Sequence, residues 1–95
     1  MSNETIRLQF IFYPAKDNKE LLGGSIPKSS DELCLLSVSE DTNLDPNSLR
    51  KLVRPYISKD EALVEKLKAG TYKVACTIIT KRDGVVIHTN TDILY

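Results

Sequence analysis

The chain has no run of about 18 apolar residues, no net charge and no paired metal-ligand spacing, and each absence removes a class of function. Without the apolar run, no membrane-spanning helix is expected. Thirteen Lys and Arg residues against thirteen Asp and Glu leave no overall attraction to polyanions. The same near-neutrality leaves self-association open, because net charge is what keeps like molecules apart. Cysteine is scarce as well. Cys34 and Cys76 stand singly in separate apolar runs, and they read as small, reduced, buried hydrophobes rather than as a disulfide. The polar start, Met1 to Thr5, lacks the basic-then-apolar pattern of a signal peptide, so the cytoplasm is the expected compartment. Gly23 and Gly24 are neither part of G-x-G-x-x-G nor followed by Gly-Lys-Ser/Thr, and so make no phosphate loop. At 95 residues the chain is one domain, too small to enclose a large cofactor without losing its core, and no cofactor is expected.

What is present is a strong hairpin signal over Gly70 to Tyr95. Two runs rich in Val, Ile and Thr, Thr71 to Thr80 and Val85 to Leu94, flank Lys81 to Gly84, and Asp83-Gly84 suits a tight turn that needs positive φ. Two registers are open. A two-residue turn pairs Ile78 with Thr89, Cys76 with Thr91 and Val74 with Ile93, and this is preferred because it brings Ile87 and Ile93 to the face of Val74, Cys76 and Ile78. A three-residue turn with Gly84 as a bulge residue shifts every pair by one.

Ahead of the hairpin, Thr5 to Tyr13 alternates as a strand, with Ile6, Leu8, Phe10 and Phe12 on the inner face and Arg7, Gln9, Ile11 and Tyr13 on the other. Leu21 to Ile26 is a candidate second strand, weakened by its glycine pair. Leu33 to Val38 reads as a short buried strand. Asp45 is an N-cap with Pro46 at the first helical position, and Leu49, Leu52, Val53 and Tyr56 form an apolar stripe. Pro55 predicts that this helix ends near Arg54. Ser58 to Glu61 resembles a capping box that opens a second helix burying Leu63, Val64 and Leu67, with Gly70 as a left-handed stop. Together these predict an α+β domain: a four- or five-stranded, mainly antiparallel sheet, with two short helices before the C-terminal hairpin. A β-sandwich with a helical insertion is the alternative.

Catalytic and metal signals are weak. Cys76 and His88 could pair as nucleophile and base, with Asp92 as orienter, only in the shifted register; in the preferred one they lie on opposite faces. Cys34, Cys76 and His88 have no C-x-x-C or H-x-x-x-H spacing for zinc. Asp31-Glu32, Glu40-Asp41 and Asp60-Glu61 read as loop solvation and capping, and Asp41 to Asp45 lacks the Gly and closing Glu of a calcium loop.

Charge segregation is the least generic feature. Residues 1–49 carry four basic and eight acidic side chains, whereas residues 50–82 carry nine basic and three acidic. Arg50, Lys51 and Arg54 crowd the outer face of the first helix, and Tyr13, Tyr56 and Tyr95 are the aromatics left for the surface. The functional expectation is a non-enzymatic protein-binding module, an accessory or inhibitor protein, that meets an acidic partner through Arg50, Lys51, Arg54, Tyr56 and Tyr95 or through the hairpin edge. Nucleic-acid binding through the same cations is the alternative, without an RNP-like or helix-turn-helix signal behind it. A small enzyme using Cys76 and His88 is the third possibility.

Overall fold

The first strand, β1, spans Glu4–Pro14 in the computed structural model, which describes residues 3–95. Its even positions Ile6, Leu8 and Phe10 are buried on one sheet face, as alternation demands. The odd positions divide, with Arg7 exposed but Ile11 and Tyr13 buried. The chain after β1 explains this. A 3-10 turn, Ala15–Asp17, runs into a short helix, α1, Asn18–Leu22, and Leu21 packs with Ile11, Tyr13 and Ala75 as a second apolar cluster. The strand expected over Leu21 to Ile26 is therefore absent, because Leu21 is needed on that cluster and a helix presents it there. Gly23 and Gly24 end the helix instead of forming a bulge: the Gly23 N–H donates to the Lys19 carbonyl, and Gly24 sits at φ 91°. Tyr13, expected at the surface, is fully buried, and its hydroxyl donates to Asn18 Oδ1 at 2.6 Å.

The second strand, β2, is Asp31–Val38, antiparallel to β1. It is an edge strand rather than a buried one: Cys34, Leu36 and Val38 are half-buried while Leu35 and Ser37 are exposed. Its continuous apolar run mimicked a strand covered on both faces, but only one face here is covered. The sheet has four strands in the order β2-β1-β3-β4, all antiparallel, with β3 at Tyr72–Arg82 and β4 at Val85–Ile93. This is an α+β domain with one sheet among the described residues, so the five-stranded and sandwich readings both fall.

Between β2 and β3 lie α2, Pro46–Ser58, and α3, Glu61–Lys68. Asp45 caps α2 by accepting from the Ser48 N–H, and hydrogen bonding from Ser48 lowers its pKa. The helix does not stop at Arg54. It runs through Pro55 for one more turn, which carries Ile57 into the core beside Val53 and Leu49. Pro55 forfeits one backbone bond, and the burial of Ile57 offsets that loss. Ser58 therefore belongs to the end of α2, where its hydroxyl donates to the Pro55 carbonyl. The N-cap of α3 is Asp60, which accepts from the Leu63 N–H. Gly70, at φ 77°, closes α3 as expected: its N–H reaches the Leu67 carbonyl and the Thr71 N–H reaches that of Lys66. Both helices pack on the face of Ile6, Leu8, Phe10, Val74, Cys76 and Ile78, forming the main core with Leu49, Val53, Ile57, Leu63 and Leu94.

The hairpin combines features of both registers. Asp83 (φ 51°) and Gly84 (φ 83°) form the two-residue turn, placing Arg82 opposite Val85 and Lys81 opposite Val86. A bulge then intervenes at Ile87, and from there Thr80 pairs with His88, Ile78 with Asn90, Cys76 with Asp92 and Ala75 with Ile93. The preferred pairings of Ile78, Cys76 and Val74 are thus overturned beyond the turn. The gain is at the far end: the shift sends Ile93 to the second cluster and Leu94 into the main core.

Candidate functional site

The proposed binding residues divide into three groups. Arg50 is half-buried and belongs to the fold: its Nε donates to the Leu94 carbonyl and its Nη1 to Asn47 Oδ1, both at 2.8 Å. A guanidinium held in two directions ties α2 to the residue that follows β4. Lys51 is exposed on the outer face, and Tyr56 is half-buried with the Lys59 ammonium 5.6 Å from its ring centroid. Arg54 and Tyr95, forty-one positions apart, are brought together.

They meet at an open-sided groove of about 380 Å³ lined by Arg54, Ile57, Ser58, Val64, Leu67, Lys68 and Tyr95. The extra turn of α2 beyond Pro55 makes one wall through Ile57 and Ser58, α3 makes the other, and Tyr95 closes an end. The floor is aliphatic. Arg54 and Lys68 are exposed, so their stems line the groove while their charged heads reach water. No Asp or Glu side chain lines it. A cavity of this size, apolar with two convergent cations, lies at the lower end of ligand-pocket volumes and has room for one or two large apolar side chains.

Sequence reasoning missed Ile57 and Lys68 as lining residues, and assigned Val64 and Leu67 only to the core. Ile57 was legible as the i+4 successor of Val53, but Pro55 appeared to forbid the turn that carries it.

The thiols sit elsewhere. Cys34 and Cys76 both oppose Phe10, from β2 and β3 on either side of β1. Two strand spacings, roughly 9.5 Å, separate them, which is beyond disulfide reach. Both are free. Burial pushes the Cys76 thiol up to about 12, with Asp92 and Cys34 adding to the effect. Burial, then Glu32, raises that of Cys34. The bulge does put Cys76 and His88 on one face, but His88 lies opposite Thr80 and Cys76 opposite Asp92, two same-face positions further along. The group facing the thiol is a carboxylate, which disfavours the thiolate. In native protein near pH 8, Cys76 should resist an aromatic disulfide reagent until the chain unfolds, while half-buried Cys34 reacts first. Peptide mapping by mass spectrometry checks this, and rapid native labelling of Cys76 would revive thiol chemistry. Among the described residues, no three His, Cys, Asp or Glu side chains cluster as a metal site. No helix there is long and apolar enough to cross a membrane.

No protein-family model, curated protein or solved structure matches the chain.

Proposed function

We propose that this protein is a non-enzymatic binding module, an accessory or inhibitor protein. It seats an apolar side chain of an acidic partner protein in the groove between α2 and α3. One observation carries the reading: an aliphatic floor at Ile57, Val64 and Leu67 is flanked by the exposed cations Arg54 and Lys68, with no Asp or Glu side chain in the lining. Water gains little from wetting such a floor, and a partner that fills it with Leu or Phe and places Asp or Glu beside it satisfies both parts. The free, protonated thiols suit a reducing compartment, and we place the protein in the cytoplasm.

The polyanion alternative loses support, because Arg50 is committed to the Leu94 carbonyl. Selection from a displayed random-peptide library tests the reading. Enriched peptides should carry one or two large apolar residues flanked by carboxylates. Arg54→Glu/Lys68→Glu should weaken them by about tenfold or more, since two attractive rim contacts become repulsive. Enrichment that ignores the double reversal counts against the groove. Capture of nucleic acid with steep salt dependence would move the function to phosphate binding.

A further inference from the structure

The two edges of the sheet are built differently. The β2 edge carries Asp31 and Glu32 and a bulge between its pairings with Phe10 and Ile11, all features that blunt an edge. The β4 edge is longer by one residue, exposed from Val85 through Thr91, and free of lysine and proline. Once past its own bulge at Ile87, it runs regularly to Ile93.

That regular stretch has mirror symmetry in its residue types. From Asn90 outward in both directions come Thr89 and Thr91, then His88 and Asp92, with the bulge residue Ile87 beyond one end and Ile93 beyond the other. An antiparallel pair of identical strands related by a two-fold axis through Asn90 would place position 90−n of one copy beside 90+n of the other. Every contact so made is favourable. Thr89 meets Thr91. His88 meets Asp92, where an imidazole N–H can donate to the carboxylate in either protonation state of the ring. The axis makes each of these contacts twice.

We propose that the partner of the β4 edge is a second copy of this chain, paired antiparallel about Asn90. The result is one eight-stranded sheet with strand order 2-1-3-4-4-3-1-2. The axis is perpendicular to the sheet, so the α2 and α3 layers of both copies lie on the same side and neither crosses the new seam. Zero net charge removes the long-range repulsion between copies. Edge pairing over the five residues His88 to Asp92 buries less than a standard interface of about 1,600 Å², so a weak, concentration-dependent dimer is expected.

Sedimentation velocity from micromolar to millimolar protein provides the test. Wild type should show a reversible monomer–dimer equilibrium. His88→Asp, which opposes two carboxylates at each symmetric contact, should weaken it about tenfold, and His88→Lys should tighten it. His88→Asp/Asp92→Lys should restore the dimer by exchanging the charges, provided circular dichroism shows that the variant is folded. Because His88 is exposed, its two single variants keep the test valid even if Asp92→Lys disturbs packing. Arg54→Glu/Lys68→Glu should leave the equilibrium unchanged, which separates this edge from the groove. A chain that is monomeric at every concentration overturns the proposal. So does a dimer that ignores the charge at position 88.

Discussion

Phe10→Ala should remove about 3–5 kcal/mol of stability, enough to leave a domain this small largely unfolded at physiological temperature. Phe10 is fully buried at the middle of the central strand, with Cys34 on one side and Cys76 on the other, and Leu49 and Val53 of α2 belong to the same core. Removing the ring forfeits its transfer free energy and leaves a cavity. The walls cannot close over that cavity, because β2 and β3 are fixed to β1 by their ladders along both flanks. Phe10→Leu, which keeps most of the volume, should cost about 1–1.5 kcal/mol. With no tryptophan in the chain, urea unfolding is best followed by far-ultraviolet circular dichroism. The midpoint should fall while the slope is unchanged. A drop of less than about 1 kcal/mol for Phe10→Ala would mean that the strand can repack around the gap.

Leu94→Ala is expected to act on stability and binding together. Leu94 is only 4% exposed, so its truncation should cost about 2–3 kcal/mol, the lower part of the range because the site lies at the margin of the core. Its backbone is a junction: the N–H donates to the Val74 carbonyl, and the carbonyl accepts from Arg50 Nε. The next residue, Tyr95, closes the groove. Loosening Leu94 should therefore weaken peptide binding although Leu94 does not line the groove, whereas Arg54→Glu should weaken binding with stability nearly unchanged. Calorimetric titration of a selected peptide beside denaturation of each variant separates the two effects. Full affinity in a destabilised Leu94→Ala protein would show that Tyr95 is held by other contacts.

Local chemistry made most of the fold legible. The alternation of Ile6, Leu8 and Phe10, the Asp45-Pro46 cap, the Gly70 stop and the Asp83-Gly84 turn each act within a few residues, and each is where the sequence places it. Pro55 and Leu21 misled for the opposite reason. Their local preferences were read correctly, but tertiary burial overrode them, carrying Ile57 into the main core and Leu21 onto the second cluster. The hairpin register depended on where Ile93 and Leu94 had to go, which is a question about distant elements. The groove was only partly legible. Arg54 and Tyr95 stood out as an exposed cation and an uncommitted aromatic, but their meeting depends on the turn of α2 that Pro55 concealed.

The order of the strands also dictates the order in which the molecule can be assembled. β1 lies between β2 and β3, yet its ladder to β3 runs from Pro14 opposite Tyr72 to Glu4 opposite Arg82. A nascent chain can pair β1 with β2 early, across a short connection. The central ladder must wait until β3, which follows both helices, has been synthesised. During that interval the β3-facing edge of β1 stands open beside Ile6, Leu8 and Phe10, before α2 and α3 can settle over them. Refolding of the complete chain should be limited by this long-range closure rather than by the helices, and crowded conditions during synthesis are when the molecule is most vulnerable to misassociation.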